Sequence, residues 1–128
     1  MPPLSSVIIA LQGLFGVLNG AASLISSTAL QKNLDTLQID STPALHAIAL
    51  GSVSIGAFYI NAAYRHDKSI MWLCVLGRAI AIPVFMTHGG PWRNVAVFEA
   101  VCGLSVAGAL LWDRYNMKGK RMAQGTST

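Results

Sequence analysis

Four long apolar stretches, separated by short polar segments, take up most of this 128-residue chain. They cover residues 6–27, 43–64, 69–87 and 94–112. Each approaches the roughly 20 residues that a helix needs to cross a hydrocarbon core about 30 Å thick. Because lipid cannot satisfy open backbone groups, such segments cross membranes as helices. The sequence therefore predicts an all-α integral membrane protein, an antiparallel bundle of four transmembrane helices.

Composition supports this prediction and favours a single domain. Hydrophobic residues make up 53% of the chain and charged residues 11%, whereas soluble domains carry about 25% charge. The transmembrane domain is predicted over residues 1–122, and a disordered tail over 123–128.

Two connections carry structural information. The polar segment 28–42 is predicted to be a loop, with an optional short interfacial helix through Leu30, Leu34 and Leu37. The turn over residues 65–68 is so short that it predicts neighbouring, antiparallel second and third spans.

Lysine and arginine are unevenly distributed between the two sides of the predicted bundle. The side with both termini and the second loop carries Arg65, Lys68, Arg114, Lys118, Lys120 and Arg121. The other side carries only Lys32 and Arg93. The positive-inside rule therefore predicts cytoplasmic termini, in the endoplasmic reticulum of a eukaryote or the inner membrane of a bacterium. The C-terminal basic run abuts an apolar span, so it predicts contact with the lipid bilayer and no nucleic-acid partner.

Two charged residues, Arg78 and Glu99, lie inside apolar spans, where ionisable groups are costly and mark candidate functional sites. From the helical rise, Arg78 lies about 13 Å from the outer end of its span and Glu99 about 7–8 Å. Asn19, at about 12 Å, and His46, at about 5 Å, occupy the same half of the bundle. These side chains can therefore converge, the charged pair as catalytic groups and the other two as substrate contacts. His46 also fits a water-facing interfacial position.

Four more side chains complete the predicted site. Gln12 and Asn61 lie towards the cytoplasmic half and predict a second polar layer, and Tyr59 and Phe98 are candidate substrate contacts. The aromatic residues equally fit an interfacial belt and lipid contacts.

The sequence predicts no metal site and no cofactor. Cys74 and Cys102 fall inside spans, where a thiol behaves as a small hydrophobe. No metal-ligand spacing and no phosphate-binding glycine loop is present.

The chemistry open to Glu99 depends on its distance from Arg78. A carboxylic acid in a pocket of low dielectric stays protonated and can protonate an alkene or epoxide. A nearby arginine keeps the carboxylate ionised instead, so the pair would serve as a base and an anion clamp. The same pair can also be purely structural and fix the register of two helices.

Small residues recur at helical spacing in two spans and predict close helix contacts. They are Gly13, Gly16 and Gly20 in the first span and Ala96, Ala100, Gly103 and Ala107 in the fourth. Either face offers a surface for a homodimer.

The layout resembles the small four-helix membrane proteins of the DoxX-like group. The resemblance rests on four short spans, an arginine in the third (76–79, LGRA) and an acidic residue early in the fourth (97–100, VFEA). It covers most of the chain in outline and implies the fold, since the group is mixed in function. A looser similarity, by analogy, links the chain to membrane terpene cyclases and sterol isomerases, which have more helices and act on lipophilic substrates.

Two functions from different classes follow. The first is a membrane enzyme that isomerises or cyclises a lipophilic small molecule, as in terpenoid or polyketide biosynthesis. Glu99 would be its acid or base, and Arg78 would orient Glu99 or stabilise an oxyanion. The second is a non-catalytic assembly or accessory subunit in which Arg78 and Glu99 form a structural lock. A transporter built from inverted halves is disfavoured because no internal repeat is evident.

Overall fold

A computed structural model describes the backbone of residues 1–125 and the side chains of residues 1–118. The described residues form five α-helices and no strand. The helices are α1 (Leu4–Ile25), α2 (Ser27–Leu37), α3 (Thr42–Tyr64), α4 (Lys68–His88) and α5 (Trp92–Gly125). Four of them, with α5 counted over Trp92–Lys118, are long and apolar enough to cross a membrane. The predicted all-α bundle of four transmembrane helices is confirmed, and the chain is a multi-pass membrane protein.

α2 occupies most of the segment predicted to be a loop. Ser26 ends α1 and caps α2, because its side chain accepts a hydrogen bond from a first-turn backbone N–H at 3.3 Å. One face of α2 carries the half-buried residues Leu30, Leu34 and Leu37. The leucine spacing, rather than the polar composition, decides the local structure here.

α5 continues well past its apolar part, to Gly125. It therefore includes the first three residues of the tail predicted to be disordered. The last three residues of that tail, 126–128, lie outside the described part of the chain.

The spanning helices pack as two pairs, α1 with α3 and α4 with α5. In the first pair the backbones touch at glycines. A Cβ added to Gly13 would lie 2.6 Å from the Gly56 carbonyl oxygen, and one added to Gly20 would lie 2.6 Å from the Ala49 carbonyl oxygen. The glycine face of the first span is therefore used inside the chain, where small residues let the helices approach closely.

The small-residue face of α5 is also used inside the chain. Ala96 is 1% exposed, and a Cβ on Gly103 would lie 3.4 Å from Arg78 Cβ. Both faces that the sequence offers for a homodimer are thus occupied within one copy. A dimer of this chain would need a different surface.

The two pairs meet mainly at one end of the bundle, which we call the Asp113 end. It holds the start of α1, the α3–α4 turn and Asp113, whereas the opposite α2 end holds α2 and the α4–α5 turn. The buried core lies in the Asp113 half and consists of Ile9, Ala63, Met71, Cys74, Val106 and Leu110. α3 and α4 touch much less than the members of either pair, although a short turn connects them. The glycine contacts commit α3 to α1, so the turn does not decide which helices pair.

Asp113 fastens the start of α1 to α5. Its carboxylate accepts hydrogen bonds from the Leu4 and Ser5 backbone N–H groups, both at 3.0 Å, and from Ser5 Oγ at 2.6 Å. Pro3, which precedes α1, makes no side-chain cap. Asp113 therefore supplies the N-terminal cap of α1 from another helix, so α1 must begin at the level of Asp113 on α5.

Candidate functional site

Arg78 is the only charged side chain among the described residues that is buried, with 9% of its surface exposed. It lies on α4 one helical turn beyond Cys74, and so one layer above the core of the Asp113 half. Gly103 of α5 faces the aliphatic part of the Arg78 side chain. A Cβ atom added to Gly103 would lie 3.4 Å from Arg78 Cβ. The absence of a side chain there makes room for the arginine between α4 and α5.

Each of the other three spanning helices contributes one side chain to the Arg78 guanidinium. Glu99 of α5 accepts a hydrogen bond from Nη1 at 2.6 Å, which is also the ion pair. Gln12 Oε1 of α1 accepts one from Nη2 at 3.0 Å. The Tyr59 ring of α3 lies 5.6 Å from the guanidinium carbon, within the range of a cation–π contact. We call these four residues the Arg78 cluster.

Gln12 extends the Arg78 cluster along α5. Its Nε2 donates to the Cys102 carbonyl oxygen at 3.1 Å and to Ser105 Oγ at 3.0 Å. Ser105 Oγ in turn donates to the same Cys102 carbonyl at 2.8 Å. The Gln12 amide therefore uses both its oxygen and its nitrogen, and it ties α1 to α4 and α5 at a single point.

Arg78 and Glu99 each have a polar atom without a hydrogen-bond partner among the described residues. Arg78 Nε is buried and unpaired. Glu99 binds through Oε2 alone, and its side chain remains 20% exposed, so its second oxygen is accessible at the edge of the bundle. In this geometry the second oxygen of Glu99 can accept a hydrogen bond from a molecule at the edge of the bundle.

The structure brings together part of the predicted site. Arg78 and Glu99 form the predicted pair, and Gln12 joins them directly instead of forming a second polar layer with Asn61. Tyr59, predicted as a substrate contact, also joins them. Tyr59 is half-buried here and is not a residue of the interfacial belt.

The other predicted site residues lie outside the Arg78 cluster. They are the exposed Asn19 and Asn61, the half-buried His46, and Phe98, which is 46% exposed and packs on Phe15 at 5.7 Å between ring centroids. Asn19 lies two turns from Gln12 on the same face of α1. It is exposed because the two helix pairs meet mainly in the Asp113 half and no longer enclose α1 at its height.

The sequence analysis missed two contributions to the Arg78 cluster. It did not single out Ser105, and it did not predict that Gly103 makes room for Arg78. Ser105 is the only hydroxyl residue between Asn94 and Trp112. A lone hydroxyl in an apolar span is a signal for an interhelical hydrogen bond, and it could have been used.

Surface clefts lie at the two ends of the bundle rather than beside the Arg78 cluster. Three of them, of about 680, 560 and 240 Å³, are formed by α2 and its neighbours, and one of about 500 Å³ lies at the Asp113 end. None of these four clefts is lined by a residue of the Arg78 cluster. Within the described residues, no group of three or more His, Cys, Asp or Glu side chains is arranged to hold a metal ion.

Comparisons of the chain with protein-family models, with curated proteins and with solved structures give no match. The resemblance to the DoxX-like group therefore stays a prediction.

Proposed function

We propose that this chain is a non-catalytic membrane assembly or accessory subunit, in which the Arg78–Glu99 pair locks the bundle. One observation carries the proposal: each of the three other spanning helices places one side chain on the guanidinium of Arg78, which belongs to α4. A group that touches all four helices is well placed to hold them in one arrangement.

The bilayer gives a physical reason for such a lock. Lipid tails are as apolar as the helix surfaces, so burial of apolar area contributes little to helix association in a membrane. Packing and interhelical hydrogen bonds must fix the arrangement instead. Arg78 and Glu99 satisfy this need together, but each is costly without the other, because a buried charge that loses its partner costs about 3–5 kcal/mol.

The test is a double-mutant cycle of Glu99→Gln, Arg78→Leu and the combined variant, with the free energy of unfolding measured in mixed micelles. A lock predicts that each single change destabilises the protein by about 3–5 kcal/mol, because it leaves one buried charge unpaired. The combined variant should regain most of that loss. Asn19→Leu is the matched control, since it removes a polar residue of a span outside the Arg78 cluster, and it should change stability little.

A second candidate function is the membrane enzyme, and the accessible second oxygen of Glu99 favours it. In this proposal the Glu99 carboxylate removes the proton between the carbonyl group and the double bond of a lipophilic β,γ-unsaturated ketone, the negative charge moves to the carbonyl oxygen, and the proton returns at the γ-carbon, giving a net isomerisation. Arg78 would orient Glu99 or stabilise the developing oxyanion, and Phe98 would contact the substrate.

The same variants separate the two proposals. An enzyme predicts that Glu99→Gln stays as stable as the original protein while the ratio of substrate to isomer in co-purified lipophilic material changes. If Glu99→Gln is fully stable, the lock is wrong. If each single variant collapses and the double variant recovers, the enzyme is wrong.

The membrane orientation is part of the proposal. Arg65, Lys68, Arg114 and Lys118 are at the Asp113 end, and Lys32 and Arg93 are at the α2 end. This asymmetry supports cytoplasmic termini, with the endoplasmic reticulum as the membrane in a eukaryote. A C-terminal fluorescent-protein fusion should fluoresce, and a C-terminal alkaline phosphatase fusion in bacteria should be inactive; the reverse pattern would contradict the orientation.

A further inference from the structure

The cleft at the Asp113 end differs from the other three because a basic side chain and several apolar side chains line it together, at the level where the apolar spans end. It measures about 500 Å³ and lies between the start of α1, the start of α4 and the far part of α5. Its polar members are Lys68, Asp113 and Asn116, and its apolar members include Leu4, Val7 and Trp112.

Lys68 is the charge of this cleft that lacks a counterion. Its Nζ lies 3.9 Å from Met117 Sδ, and the only ion pair within 4.0 Å among the described residues is Arg78–Glu99. The two nearby carboxylates are engaged elsewhere. Asp113 caps α1, and Asp67 accepts hydrogen bonds from the first-turn N–H groups of α4 at 3.0 and 3.2 Å.

The electrostatic surroundings of the cleft favour an anion. Arg65, Arg114 and Lys118 are exposed at the same end of the bundle. α1 and α4 both begin there, but Asp113 and Asp67 already cap their first N–H groups, so the excess of positive charge at this end comes from the basic side chains. An anion in the cleft would face Lys68 and the exposed cations at this end, opposed by the Asp113 carboxylate, whose oxygens accept hydrogen bonds from the start of α1.

The apolar wall continues from the cleft into the membrane. Leu4, Val7 and Leu11 are 44%, 41% and 62% exposed and follow one face of α1 at spacings of three and four residues. Trp112 of α5 is 58% exposed beside them, at the depth where tryptophan prefers the lipid interface. This track suits an acyl chain attached to a headgroup held at Lys68.

We propose that the cleft binds one anionic phospholipid, with its phosphate on Lys68 and one acyl chain along Val7 and Leu11 of α1. Asn116 would donate a hydrogen bond to the headgroup from the other side of the cleft. Because α1, α4 and α5 all line the cleft, the lipid would hold together the end at which the two helix pairs meet. The proposal is independent of whether the Arg78 cluster is a lock or a catalytic site.

The test measures the thermal shift and the number of retained lipids, by native mass spectrometry, in detergent with phosphatidylglycerol or phosphatidylcholine of identical acyl chains. The original protein should prefer phosphatidylglycerol, and Lys68→Gln should reduce that preference about fivefold, as expected for one cation at the membrane surface. Lys68→Arg should retain it. Lys32→Gln, which removes an exposed cation at the α2 end, should have no effect on the preference.

Three results would overturn the proposal. They are an unchanged lipid preference in Lys68→Gln, an equal shift with phosphatidylcholine, and an equal shift with soluble glycerophosphate at the same concentration. The last result would identify a phosphate site without a lipid. If Lys68→Gln does not fold, Lys68→Arg and Val7→Asp decide the matter, because the first should keep and the second should lose the preference.

Discussion

The α1–α3 contact and the Arg78 cluster join helices in the same membrane by different physics. Between α1 and α3, glycines bring backbone onto backbone: a Cβ on Gly56 would lie 2.5 Å from the Gly13 carbonyl oxygen. At the Arg78 cluster, a charge and its hydrogen bonds connect α4 to the other three helices. The α1–α3 contact depends on the absence of side chains at its glycines, and the Arg78 cluster depends on the presence of its polar side chains. Larger residues should therefore disrupt the first contact, and truncated side chains should disrupt the second.

After the Arg78–Glu99 variants described above, the largest effect in this comparison is expected at Gly56. Gly56→Ala places a methyl group against the backbone oxygen of Gly13 and the backbone nitrogen of Val17, neither of which can move without separating the helices. We expect a loss near the upper end of the roughly 1–3 kcal/mol typical of overpacking. Denaturant-titrated unfolding in mixed micelles measures it.

Gly51→Ala and Gly77→Ala are the controls for that prediction. A Cβ at either position meets no atom within 4 Å, so stability should stay level or rise slightly. If Gly56→Ala behaves like these two, the backbone contact is not what pairs α1 with α3.

Gln12→Ala should have the next largest effect, because it breaks the only link between α1 and the charged pair. It removes hydrogen bonds to Arg78, Cys102 and Ser105 and leaves a guanidinium N–H without its partner. An unsatisfied buried polar group costs about 1–3 kcal/mol. The matched control is Asn61→Ala, an exposed amide of α3, and equal melting temperatures for the two variants would contradict the prediction.

Asp113→Ala should cost less, about 1 kcal/mol, the usual value of a helix cap. The loss should appear locally, as faster hydrogen exchange at the Leu4 and Ser5 amides, because these donate to the carboxylate. Asp113→Asn keeps a hydrogen-bond acceptor, so its stability and its amide exchange rates should lie between those of the original protein and those of Asp113→Ala. Uniform exchange across α1 in all three proteins would rule out a cap from α5.

Ser52→Ala should have the smallest effect. It removes the hydrogen bond from Ser52 Oγ to the Gly16 carbonyl, 3.1 Å long, and leaves the glycine contact intact. Interhelical hydrogen bonds in membranes average about 0.6 kcal/mol. A loss as large as that of Gly56→Ala would show that the α1–α3 contact is polar rather than steric, and the two contacts would then be alike.

The sequence predicts the four spans well because hydropathy and length are sufficient for helices that must satisfy their own backbone in lipid. It also predicts the Arg78–Glu99 pair, since two opposite charges inside neighbouring spans have few other partners. Depth along a helix can be counted from the sequence at about 1.5 Å per residue.

The sequence does not predict which helices surround a residue at a given depth in the bundle. Asn19 and Gln12 share one face of α1, but only Gln12 lies where α4 and α5 still cover it. Likewise, the short turn at 65–68 suggests α3 and α4 as partners, whereas glycine contacts pair α3 with α1. Both differences arise because helix pairing depends on the shape of whole helix surfaces, and the identity of a single residue does not reveal that shape.

The separation of Arg78 from Glu99 along the chain has a consequence for biosynthesis. A ribosome completes α4 before it has made residue 99, so the guanidinium reaches the membrane before its counterion exists. Insertion of α4 together with α5 as a helical hairpin avoids that cost. A nascent chain that stops short of Glu99 keeps a bare charge in the bilayer, and this distinguishes an unfinished product from a complete one.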